Sequence, residues 1–103
     1  MRLRWTLGAR DDLVAIARFI AEDNESAARG WIGRLRSQAK RATRFPKSGR
    51  VVPEFARDDL REFIFQGYRI VYLIRGDDVF VVSVFEGHRQ IRLTDDDLAR
   101  TEE

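Results

Sequence analysis

Two hydrophobic periods divide this sequence. From Ala9 to Phe45 the apolar residues recur at three- and four-residue spacings, and from Leu60 onward they largely alternate with every second residue. The first spacing gathers side chains on one stripe of an α-helix, and the second puts them on one face of a β-strand. Helices grouped before strands predict an α+β fold, with a helical unit covering one face of a small antiparallel sheet. At 103 residues the chain fits one compact unit, so residues 1–103 are read as a single domain.

The helical half reads as a hairpin. RLRWT at residues 2–6 alternates basic and apolar side chains and is expected to form a short half-buried strand. From Ala9 to Ala21, Leu13, Ile16, Ala17 and Ile20 share a helical stripe, while Arg10, Asp11, Arg18 and Glu22 point elsewhere. Asn24 is placed as the N-cap of a second helix from Glu25 to Phe45, because its side-chain oxygen can accept from a free backbone N–H. The inner stripe of that helix is expected to hold Ala28, Trp31, Leu35, Gln38 or Ala39, and Ala42. The short link at Asp23 and Asn24 folds the two helices back antiparallel. Pro46 ends the second helix, and KSGRVVPEF then forms a bent connector.

In the second half, REFIF and YRIVYLI flank Gln66 and Gly67, the spacing of a tight hairpin whose turn type stays open. Gly76, Asp77 and Asp78 turn the chain into VFVVSVF. Tyr68, Ile70, Tyr72 and Ile74 alternate with Arg69, Val71, Leu73 and Arg75, so both faces of this strand carry apolar residues. One face suits the helical hairpin. The other requires cover from the connector, the C-terminal segment or another protein. The closing DDDLARTEE reads either as a short helix capped by Asp95 or as a frayed acidic tail.

The formal charge of +2 hides an uneven distribution. Arg29, Arg34, Arg36, Lys40, Arg41, Arg44, Lys47 and Arg50 follow one another with no acidic residue between them, and the chain ends in an acidic stretch. A basic half of this kind suits an anionic partner, although charged side chains are also ordinary surface cover. The absence of cysteine excludes disulfides and thiolate chemistry. No apolar leader follows Met1, and no segment nears the roughly 20 apolar residues that cross a bilayer. A soluble intracellular protein, with no membrane partner, is expected.

The catalytic inventory is thin. One histidine and no cysteine exclude a conventional zinc site, and no cofactor or metal is expected. Ser37, Ser48 and Ser83 lie outside any GxSxG elbow, and neither a dinucleotide fingerprint nor a P-loop occurs. Asp58, Asp59 and Glu62 are read as a surface-loop trio. His88 and Arg89 directly follow the last strand, where a histidine can exchange protons and an arginine can fork onto a phosphate or carboxylate. Arg69, on an adjacent strand, is expected to approach them. The strand aromatics Tyr68, Tyr72, Phe80 and Phe85 are assigned mainly to packing rather than to stacking on bases.

In order and spacing, WTLGARDDLVAIARFIAEDN, AARGWIGRL, FPKSGRVVPEF, LREFIFQGYRIVYLI and VVSVFEGHR resemble the RelE/ParE superfamily of bacterial toxins. The resemblance covers nearly the whole chain and is stronger to the ParE-like branch than to the mRNA-cleaving branch. It implies a helical hairpin on a small antiparallel sheet and a cytoplasmic bacterial toxin. It also implies a toxin–antitoxin hetero-oligomer, in which a flexible, acidic, amphipathic antitoxin segment wraps the toxin. For ParE-like members it implies inhibition of DNA gyrase with stabilisation of its cleaved-DNA complex, without intrinsic catalysis. For the other branch it implies ribosome-dependent mRNA cleavage. Arg69 falls at a functional arginine of that branch, Arg89 or its neighbour His88 approximates a second, and Arg61 is a weaker match. The C-terminal tyrosine of that branch has no counterpart after Arg89. Arg61, Arg69, His88 and Arg89 are therefore the functional-surface candidates. Arg29, Arg34, Arg36, Lys40, Arg41 and Arg44 are the antitoxin-binding candidates. A nonenzymatic nucleic-acid-binding module, or an inactive antitoxin-binding one, is the remaining alternative.

Overall fold

The computed structural model describes residues 1–99. Strand β1 (Arg2–Trp5) leads into helices α1 (Leu7–Ala21) and α2 (Glu25–Arg44), then β2 (Arg50–Val51), β3 (Leu60–Phe65), β4 (Tyr68–Arg75), β5 (Asp78–Glu86) and a short α3 (Asp95–Ala99). The sheet order is β1-β5-β4-β3-β2. Strands β2 to β5 pair antiparallel, whereas β1 lies parallel to β5, with Arg2 opposite Asp78 and Trp5 opposite Val81. The expected α+β architecture is observed, with a parallel first strand added at one edge of the antiparallel sheet.

Local chemistry sets the element boundaries. Thr6 was expected in the first strand and the helix at Ala9, but Thr6 is the N-cap and α1 starts at Leu7. Its Oγ1 accepts from Ala9 N at 3.2 Å and donates to Val81 O at 3.2 Å, so the same hydroxyl caps the helix and ties it to the sheet. Asn24 caps α2 as expected, accepting from Ala27 N at 3.0 Å. Gln66 and Gly67 both have positive φ, 48° and 84°, which makes the β3–β4 connection the two-residue I′ type whose twist matches the strands. Thr94 replaces the expected Asp95 as the cap of α3. Its Oγ1 accepts from Asp97 N, while the Asp97 carboxylate accepts from Thr94 N at 2.9 Å, a reciprocal box that Asp95 is placed one residue too late to form. The helical reading of this segment therefore holds over Asp95–Ala99, and the remainder of the expected tail, residues 100–103, lies outside the described residues.

Two apolar layers sandwich the sheet. On one face the expected α2 residues Trp31, Leu35, Ala39 and Ala42, with Ala9 and Leu13 of α1, pack on Phe63, Ile70, Tyr72, Val79, Val81 and Val84. Val82 is an extra residue in β5, since Val71 pairs with Ser83 and Tyr72 with Val81. This bulge resets the alternation, so Val84 returns to the helical face already used by Val79 and Val81. On the opposite face Val52 of the connector and Leu98 of α3 cover Leu60, Val71, Leu73, Phe80 and Val82, aided by Phe55, Phe85, Ile91 and Leu93. Of the three covers left open by the sequence, the connector and the C-terminal segment are both used. Among the described residues no helix is long and apolar enough to cross a membrane.

Candidate functional surface

The connector is tied to the sheet by charge. Phe55 N and Ala56 N both donate to Val52 O, forming a turn with Pro53 preset at its first corner and Glu54 at its tip. Val52 is fully buried and Phe55 packs on the second apolar layer, so the turn holds Glu54 above β4. There the two terminal nitrogens of Arg69 each donate to a Glu54 oxygen at 2.8 Å. Arg69 Nε donates to Glu62 Oε1 at 2.6 Å, and Arg50 Nε donates to Glu62 Oε2 at 2.5 Å. Arg50, Glu62, Arg69 and Glu54 thus form an alternating chain of charges across the outer face of the sheet.

Burial makes this chain consequential. The Glu62 side chain has no exposed area and Arg69 is 8% exposed, whereas Glu54 is 40% exposed. Hydrogen bonds from Arg69 hold the Glu54 carboxyl down to about 2. The same contact, with that to Glu62, raises the Arg69 guanidinium above its already high ordinary value. Glu62 is therefore a correction to the surface-loop trio. It occupies the same face of β3 as buried Leu60, and two arginines compensate its charge. Asp58 and Asp59 do lie in the loop, where Asp58 pairs with Lys47 and Arg61, and Asp59 with Arg57. Lys47 and Arg61 hold the Asp58 carboxyl below the usual range.

Of the functional-surface candidates, Arg61 and Arg69 have their donors committed within the fold. Arg61 donates to the carbonyls of Asp58, Lys47 and Gly49 and to the Asp58 carboxylate, stapling the connector to β3. Gly49 is required there, because a Cβ at that position would lie 2.6 Å from Tyr72 Oη and 2.7 Å from Glu62 O. Tyr72 Oη completes the anchor by accepting from Gly49 N at 3.0 Å and donating to Pro46 O at 2.6 Å. His88 and Arg89 are exposed on the turn after β5. Arg89 lines a cleft of about 750 Å³ between the start of α1 and the C-terminal segment, with Arg92 and Phe85 also on its walls. The Arg69 guanidinium lies over the Phe85 ring at 5.1 Å but is absent from the cleft lining, so the expected meeting of Arg69 with Arg89 is indirect, through this ring.

Asp12 also faces the cleft, a residue with no role assigned from its sequence position. It accepts from Val84 N at 2.9 Å and from Ser83 Oγ at 3.4 Å, which occupies a β5 backbone donor beyond the end of β1. Burial pushes its carboxyl up, opposed by these hydrogen bonds. Glu54 and Asp12 are the polar residues that sequence reasoning missed, and Glu62 the one it misplaced in a loop. The readable signal for Glu62 was a carboxylate in the buried phase of a strand, and for Glu54 its place directly after a proline turn. Asp12 is a surface-phase helical residue whose partner is 72 positions away, and local periodicity carries no sign of it.

A further set of exposed cations lies on α2. Arg29, Arg34, Arg36, Lys40 and Arg44 are all exposed on α2 and make no ion pair among the described residues. At 3.6 residues per turn, Arg29, Arg36, Lys40 and Arg44 share one arc opposite the buried stripe, a line about 22 Å long. Arg41 differs, since its guanidinium lies 4.7 Å from the centre of the Phe63 ring and donates to Gln38 Oε1. Among the described residues no group of three or more histidine, aspartate or glutamate side chains is arranged to hold a metal ion.

This geometry matches known proteins in sequence pattern and in fold. The family model for the ParE toxin of the type II toxin–antitoxin system, parDE, matches residues 3–91. A solved chain described as the chromosomal ParDE TA system from P. aeruginosa superposes with a TM-score of 0.69 at 18% identity, over 84% of this chain and 95% of that one. No curated protein matches this chain closely in sequence. With most of its length inside that family model, including α1, α2 and strands β2 to β5, this chain belongs to the ParE toxin family of type II toxin–antitoxin systems.

Proposed function

We propose that the chain acts in the bacterial cytoplasm on DNA gyrase, stabilising the enzyme's cleaved-DNA complex, and that an acidic, amphipathic antitoxin segment holds it inactive in a hetero-oligomer. The observation that carries this reading is the family match over residues 3–91. The charge layout supports the antitoxin part: the exposed arc of α2 offers Arg29, Arg36, Lys40 and Arg44, which make no ion pair among the described residues, to an anionic partner, with Arg34 and Arg41 flanking it. His88 and Arg89 are exposed on the turn after β5, and in this reading they belong to the target-facing surface. Arg61 and Arg69 act behind it as positioning residues. Their committed donors weigh against a ribonuclease site, which needs cations free to meet a phosphodiester.

The deciding experiment is a titration of purified gyrase with the toxin, reading supercoiling and trapped DNA cleavage, with cognate antitoxin as the reversal control. The expected result is loss of supercoiling together with accumulation of cleaved DNA, both reversed by antitoxin. A folded, antitoxin-binding preparation that leaves gyrase untouched rejects the gyrase target. Cleavage of mRNA on translating ribosomes by that same preparation would then establish the alternative activity.

A further inference from the structure

An arginine fork accepts a carboxylate and a phosphate with the same geometry, two parallel N–H donors on two oxygens. Arg69 presents such a fork on the outer face of the sheet, above the Phe85 ring, and Glu54 occupies both of its terminal nitrogens. The occupant is built into the fold: Pro53 sets its turn, while Val52 and Phe55 anchor the turn on either side. The two arginines and two glutamates of the chain are balanced in charge. Loss of the Glu54 carboxylate would leave a cation in excess and take the acceptors from both terminal nitrogens of a guanidinium that is 8% exposed with Glu54 in place, a fork suited to an external oxyanion.

We propose that Glu54 is a specificity-determining residue, an internal stand-in for an oxyanion that fills the Arg69 fork and closes it to the phosphate esters of nucleic acid. The inference rests on the toxin reading above and deepens it, since it supplies a physical reason why this chain does not engage RNA phosphates through Arg69. The low position of the Glu54 carboxyl, about 2, means that it stays charged and in place at neutral pH. Glu62 accepts from Nε independently of Glu54, a bond expected to keep the fork oriented when Glu54 is removed.

The test follows the Arg69 Nε–H resonance by NMR at neutral pH while inorganic phosphate is added, and then a short single-stranded RNA. In the wild type this resonance is expected to stay unmoved. In Glu54→Gln, and in Glu54→Ala as the second variant, it should move saturably, with apparent phosphate affinity at least about tenfold tighter than wild type. Glu22→Gln, which makes the same charge change on the exposed end of α1, should leave it unmoved. Glu54→Asp, retaining the charge, should remain insensitive. A saturable shift in the wild type overturns the proposal without any variant, and so does an insensitive Arg69 in folded Glu54→Gln or Glu54→Ala. Because the readout is phosphate at one guanidinium, its failure is separable from a negative gyrase assay.

Discussion

Glu62 shows how far environment can override side-chain preference. A carboxylate with no exposed area is tolerated because each of its oxygens receives an arginine Nε. Removing one member of such a buried pair strands the others, so Glu62→Gln is expected to cost about 3–5 kcal/mol in urea unfolding. Asp59→Asn, which disturbs an exposed pair with Arg57, should cost less than about 1 kcal/mol. Glu54 adds a pH dependence. Its carboxyl falls from 4.5 to about 2 in the fold, so its stabilisation is complete above pH 4.5 and fades as the pH drops toward 2. Melting temperature against pH should therefore fall across that window in the wild type, and less steeply in Glu54→Gln. Asp12 opposes this trend, because its raised carboxyl makes the folded state the better proton acceptor and acidification favours that state.

At the scale of elements, the inner stripes of the two helices and the three long strands were legible because each is a local periodicity. The boundaries were less so where one side chain serves two distant partners. RLRWT continues its alternation through Thr6, and only the bond to Val81 O explains why the helix starts there instead. Thr6→Val keeps the shape and loses both bonds, which should cost about 1–2 kcal/mol, read from the urea midpoint. The candidate site was legible in the opposite sense. Basic α2 was visible as a run of charge, and its exposed arc follows from helical geometry, whereas the engagement of Arg61 and Arg69 depends on connector residues with no periodic signature. The arc carries a functional test. Arg36→Gln, Lys40→Gln and Arg44→Gln together should leave stability within about 0.5 kcal/mol, weaken antitoxin binding and flatten its salt dependence. Unchanged affinity at several salt concentrations would remove α2 from the interface.

For the molecule as a whole, the central question is how a sheet apolar on both faces is kept from water by so short a chain. The helical hairpin covers one face with regular structure, while the other is closed by a proline turn and a single short helix. The sequence exposed the need for a second cover without choosing among its possible sources, because Val52 and Leu98 meet the strands through long-range contacts. In the fold the chain supplies that cover itself. Leu98 is 1% exposed, and Arg75 Nη2 donates to its carbonyl at 2.9 Å, holding the short helix against the sheet. A five-residue helix has too few internal bonds to persist alone, so its stability must come from this apolar contact. Leu98→Ala should accordingly cost about 2–5 kcal/mol in urea unfolding, the range for a truncated core leucine. A loss below about 0.5 kcal/mol, typical of a surface position, would mean that the C-terminal segment rests on the sheet without stabilising it, and that the connector alone closes the second layer.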